Sequence, residues 1–67
     1  MRVYVNGEPR EFDHPLTLAE LVAELDLPPA RIAIELNRTV VRRNDWGATP
    51  LKDGDRIEIV HFVGGGS

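Results

Sequence analysis

The segment of this 67-residue chain best suited to covalent chemistry has almost no side chains: Gly64-Gly65-Gly66-Ser67. Glycine lacks a Cβ, so such a run can enter a narrow channel in extended form and present a terminal carboxylate to a buried active site at little steric cost. The reactive group would then be the main-chain carboxylate. A plainer reading stands beside it, because chain ends rich in glycine are commonly loose and do no chemistry. The rest of the chain offers little competition. With 0 cysteines there is no disulfide framework, no thiolate zinc site and no cysteine-based persulfide or thioester. His14 and His61 lack the neighbouring ligands or carboxylates that a metal or acid–base site needs, and they read as surface or strand-edge residues. Asp53 and Asp55 flank Gly54 as turn residues; the further ligands of a calcium loop are missing. The sequence contains no GxxxxGK[ST] phosphate loop, no metal-binding helix motif and no nucleophile elbow. The expectation is a protein that is not an enzyme by itself, has no catalytic side chain and binds no cofactor or metal of its own.

Size and composition agree with a presenting role. A chain this short makes one small domain and cannot enclose a catalytic cleft of ordinary size. At 42% hydrophobic and 28% charged residues it is globular in composition, and nearly every large apolar side chain is needed for the core. The net charge of -3, from 8 basic and 11 acidic residues, disfavours nucleic acid and anionic membrane as partners. Arg38, Arg42 and Arg43 could steer an acidic partner, although a charge cluster beside a hairpin is usually just solvated, which is the preferred reading. No basic leader followed by an apolar run opens the chain and no stretch approaches membrane-spanning length, so the expected location is cytoplasmic.

The elements that must position the tail follow from periodicity. Val3 and Val5 alternate with Arg2 and Tyr4 in a first strand, Asn6-Gly7-Glu8-Pro9 reads as a turn, and a second strand at about Arg10 to Asp13 would point Phe12 inward. Thr17-Leu18-Ala19-Glu20 is a capping box that starts a helix. Leu18, Leu21, Val22 and Leu25 give it one apolar stripe, and Pro28-Pro29 are expected to stop it. Ile32, Ile34 and Leu36 alternate through a third strand, with Ala33 beneath the helix or at an edge. Asn37-Arg38 can form a tight hairpin, arginine being a poor second residue; a longer loop is the alternative. A short strand from Thr39 to Arg42 and an irregular stretch from Arg43 to Thr49 follow. The turn Asp53-Gly54-Asp55 leads into the last strand, Arg56 to Val63. In that strand Ile57 and Ile59 face one side while Val60 and Phe62 face the other. This order predicts an α+β domain over residues 1–63, with one helix across one face of a mixed sheet whose first and last strands are central parallel neighbours, as in the ubiquitin-like β-grasp fold. Residues 64–67 would be a flexible tail.

Two further assignments remain open at this level. Val60, Phe62 and Val63 could form an exposed apolar docking patch leading into the tail, or simply be core; burial decides between these. Trp46 could anchor an interface but is more often a lid on the core.

The run Leu51-Lys52-Asp53-Gly54-Asp55-Arg56-Ile57-Glu58-Ile59-Val60-His61-Phe62-Val63-Gly64-Gly65-Gly66 resembles the end of the thiamine-pathway sulfur carriers, the ThiS family. The likeness extends over nearly the whole chain, through Asn6-Gly7-Glu8, Ile32-Ala33-Ile34-Glu35-Leu36-Asn37, Arg43-Asn44-Asp45-Trp46 and Thr49-Pro50-Leu51. It implies that an E1-like adenylyltransferase of ThiF type uses ATP to activate the terminal glycine carboxylate as an acyl adenylate. Sulfur from a donor protein then replaces the leaving group, and the thiocarboxylate serves a ThiG-type thiazole synthase. A free carboxylate needs such activation because it is a poor acceptor. The family ends in glycine, whereas here Ser67 follows Gly66. The resemblance therefore implies that Gly66 is the working terminus once Ser67 is absent, with Gly64 and Gly65 threading into the partner. A related MoaD-like carrier for molybdopterin or another sulfur-containing product is the second reading, and an ubiquitin-like interaction module with an inert tail is the third.

Overall fold

The computed structural model describes residues 1–62. Five strands, β1 (Arg2–Val5), β2 (Glu8–Glu11), β3 (Ile32–Leu36), β4 (Thr39–Val41) and β5 (Arg56–His61), form one sheet in the order β2-β1-β5-β3-β4. β1 and β5 are parallel neighbours, as expected from the element order and its likeness to the β-grasp fold, and every other pair is antiparallel. One helix, α1 (Leu18–Glu24), covers one face. This is the expected mixed-sheet β-grasp arrangement.

Alternation places the core. Val3 and Val5 of β1, Ile32 and Ile34 of β3, and Ile57 and Ile59 of β5 turn to the helix side and meet Leu18, Leu21 and Val22. Six of the core side chains, Leu18, Leu21, Ile32, Ile34, Ile57 and Val3, are at most 1% exposed. Each such burial is worth about 1.5–3 kcal/mol relative to exposure. In so small a domain none is spare.

The capping box forms as read: Thr17 Oγ1 accepts from the Glu20 amide at 3.2 Å, and Glu20 Oε1 accepts from the Thr17 amide at 2.8 Å. The helix stops earlier than the prolines. Asp26 takes φ 55°, its amide donates to Ala23 O and the Leu27 amide donates to Val22 O, a Schellman closure completed before Pro28 is reached. Leu25 is consequently only half-buried.

The first hairpin also differs from expectation. Asn6 (φ 51°) and Gly7 (φ 84°) alone make the turn, a two-residue mirror-image turn, so Glu8 and Pro9 already belong to β2. All four β2 residues are exposed. Phe12 lies beyond the strand, half-buried against the core, with its amide donating to Met1 O. Arg43–Ala48, expected to be irregular, winds as a 3₁₀ helix.

Asn37 (φ 50°) and Arg38 (φ 72°) form a second two-residue turn rather than a longer loop. Arg38 thus occupies a left-handed conformation that costs a non-glycine residue on the order of 1–2 kcal/mol. Arg38→Gly is expected to stabilise the domain by about 0.5–1.5 kcal/mol, the gain being reduced by glycine's greater freedom when unfolded. A higher urea midpoint at unchanged slope would show this; a lower midpoint would mean that the arginine side chain compensates for its own strain.

Candidate functional site

The last strand carries the approach to the glycine run, and three polar side chains fix it. At its start Asp55, 6% exposed, accepts from the Lys52 amide at 2.8 Å and from Asn37 Nδ2 at 3.1 Å. Asn37 Oδ1 in turn accepts from the Arg56 amide at 3.0 Å, so the two turns are held against each other. Farther along, Asn6 extends the parallel ladder by a side chain: its Oδ1 accepts from the Ile59 amide at 2.7 Å and its Nδ2 donates to Ile59 O at 3.2 Å. These bonds satisfy main-chain groups where β1 has already turned away.

With Ile57 and Ile59 committed to the core, the other face of β5 is bare. Val60 is 61% exposed and Phe62 42% exposed, so neither belongs to the core. Val63 and the tail residues Gly64, Gly65, Gly66 and Ser67 lie outside the described residues. Ala33, expected beneath the helix or at an edge, is instead on the open face opposite Val60, because its neighbours Ile32 and Ile34 take the core side. Val40, which no local pattern singles out, is 67% exposed and pairs with Glu35 across β3·β4. Its contribution to the patch depends on the β4 register. Phe62 borders a shallow depression of about 240 Å³ that also meets Ala33, Val40, Arg42 and Trp46.

The flanking charges have distinct roles. Arg56 lies over the Tyr4 ring at 4.9 Å, on the same face as Val60. Arg43, read as solvated, has a structural position: Nε donates to Pro29 O at 2.9 Å and the guanidinium sits 5.7 Å from the centre of the Trp46 ring. Trp46 itself is core, 4% exposed, with Nε1 donating to Val41 O at 2.9 Å. It is a lid and not an exposed anchor.

The histidines do not converge. His14 pairs with Asp13 at 2.8 Å; that hydrogen bond raises the imidazole pKa and lowers that of the carboxyl, on a solvent-exposed pair. His61 is exposed on β5, opposite Ile32. Among the described residues no three histidine, aspartate or glutamate side chains come together as metal ligands, and no helix is long and apolar enough to cross a membrane. The arrangement is a strand tied down by side-chain hydrogen bonds, with exposed apolar residues shortly before the glycine run in the chain.

Comparison with known proteins agrees with this geometry. A crystal structure of a thiamine biosynthesis protein (ThiS) from Geobacter metallireducens superposes with a TM-score of 0.84 at 39% identity, covering 98% of this chain and 100% of the other. The sulfur carrier protein ThiS of Thermus thermophilus is 34% identical over 96% of this chain and 98% of its own length. A thiazole synthase of Magnetococcus marinus is 42% identical over 98% of this chain, which spans only 20% of that longer protein. The ThiS family model matches residues 3–66, and the chain belongs to the ThiS family.

Proposed function

We propose that the chain is a sulfur carrier of thiamine biosynthesis, working by its C-terminal carboxylate and not as a catalyst. The observation that carries this reading is the family match through residue 66, which takes in Gly64, Gly65 and Gly66 and leaves Ser67 outside. The exposed Val60 and Phe62 support it, since they give a partner something to hold next to the tail. In a chain ending at Gly66 the carboxylate oxygen attacks the α-phosphorus of ATP in an E1-like adenylyltransferase, and pyrophosphate leaves. Hydrosulfide, released from a donor protein's persulfide by a thiol reductant that is itself oxidised to a disulfide, then attacks the acyl carbon and gives up its proton. AMP departs with the C–O bond electrons, leaving a thiocarboxylate. That group is the sulfur source for a thiazole synthase. ATP belongs to the activating partner; the carrier needs no cofactor.

Thiamine is preferred to molybdopterin as the destination because the relatives described above are named as ThiS proteins and a thiazole synthase. The test is intact mass of a chain ending at Gly66 after incubation with ATP, sulfide and the cognate adenylyltransferase. The expected result is exchange of one oxygen for one sulfur, and addition of thiazole synthase with its substrates should return the oxygen form. A chain that never acquires an AMP conjugate or sulfur would refute the carrier reading. Turnover by a molybdopterin-forming enzyme but not by thiazole synthase would move the destination.

A further inference from the structure

Glu35 and Glu58 are direct partners in the β3·β5 register, both exposed on the open face of the sheet. Like charges directly opposite each other in an antiparallel pair destabilise it. Among the described residues the ion pairs are Arg2–Glu11, Arg10–Glu8 and His14–Asp13, so neither carboxylate has a cation within 4.0 Å. The nearest candidate along the strand, Arg56, is turned over Tyr4. The pair is also framed by apolar surface. Val40 stands beside Glu35 in the β4 register, and Ala33 and Val60 make the next cross-strand row. Val40, Val60 and Phe62 are the exposed large hydrophobic residues of the described chain, and all lie on or at the rim of this face.

A partner that covered Val40, Val60 and Phe62 would strip water from both carboxylates. Such desolvation is tolerable only if the partner supplies a cation. Two carboxylates side by side suit the planar, multi-donor fork of arginine better than a lysine point charge. We propose that this face docks on an apolar patch of thiazole synthase that presents an arginine between Glu35 and Glu58, making these two residues determinants of partner choice. Thiazole synthase is the chosen occupant because related thiazole synthases hold a domain similar to this chain within one polypeptide. Phe62 immediately precedes the segment leading to the glycine run, so docking here brings the tail to the same partner. The inference rests on the carrier reading and adds the chemistry of its contact surface.

The test compares wild type, the Glu35→Gln/Glu58→Gln double variant and Glu58→Lys, each ending at Gly66. Calorimetric titration against thiazole synthase from the same organism is run at low and at moderate salt, with melting temperature measured in parallel. The double variant is expected to melt about 2–5 °C higher, as the cross-strand repulsion is removed. Its Kd should weaken at least about tenfold and lose most of its salt dependence. Glu58→Lys should weaken binding further. The opposite signs in stability and affinity are the signature of a pair kept for binding. Affinity within about twofold of wild type overturns the inference while leaving the carrier reading intact. A wild-type chain that forms a thiocarboxylate but shows no affinity for thiazole synthase overturns both this inference and the thiazole destination.

Discussion

A Gly65→Val chain ending at Gly66 is expected to fold as stably as wild type and to yield no detectable acyl adenylate, a loss of at least about 1,000-fold in conjugate formation. The two halves of this expectation have separate causes. Stability should not change, because every core residue among the described ones lies at or before Ile59. Conjugation should fail if, as proposed, the tail threads into an activating enzyme, since a channel fitted to a chain without Cβ atoms would have no room for a branched side chain. A 1 Å misplacement of a reacting group alone can cost about 100-fold, and exclusion from the channel costs more. Intact mass with ATP and the adenylyltransferase reads the outcome, and circular dichroism monitors the fold. Conjugation at a wild-type rate would mean that the glycines are not there for threading. Gly65→Ala provides the graded control, with an intermediate loss expected.

Trp46→Ala is expected to remove about 3–5 kcal/mol, most of the stability available to a domain of this size. Trp46 caps the core from the 3₁₀ segment, and its side chain has two sets of contacts. The ring fills the edge of the core under the Arg43 guanidinium, and Nε1 satisfies Val41 O on the edge strand β4. Deletion leaves a cavity and takes away a hydrogen bond at once. Trp46→Phe separates them: most of the ring area is retained, and the expected loss is about 1–2 kcal/mol. Urea unfolding of the three proteins gives the ordering. A Trp46→Ala loss below about 1 kcal/mol would show that the 3₁₀ segment closes over the gap. The loss should also appear as weaker partner binding, because Val40 and Phe62 border the same depression as Trp46.

How much of this was legible without coordinates depended on whether the governing interaction was local. The start of α1 was readable because the capping box spans four residues that bond one another. The two faces of β5 were readable because alternation is intrinsic to an extended chain, and Ile57-Glu58-Ile59-Val60 shows it. The end of α1 was misplaced at the prolines because the Schellman closure at Asp26 uses a left-handed residue that is seldom aspartate. β2 was misplaced because its residues are all exposed and so carry no apolar period, leaving the two-residue turn and the β1 register to decide.

The sequence by itself determined the glycine run, the absence of cysteine, the capped amphipathic helix and the alternation of the last strand into two faces, since each is set by residue identity or by neighbours in the chain. Only the tertiary structure decided that Trp46 is core, that Asp55 and Asn37 lock two turns together, and that Ala33, Val40, Val60 and the Glu35–Glu58 pair share one bare surface. Those facts depend on which strand lies beside which and in what register. Register is fixed by the packing of residues far apart in the chain, and a shift of one position in a strand would send its members of this surface to the opposite face.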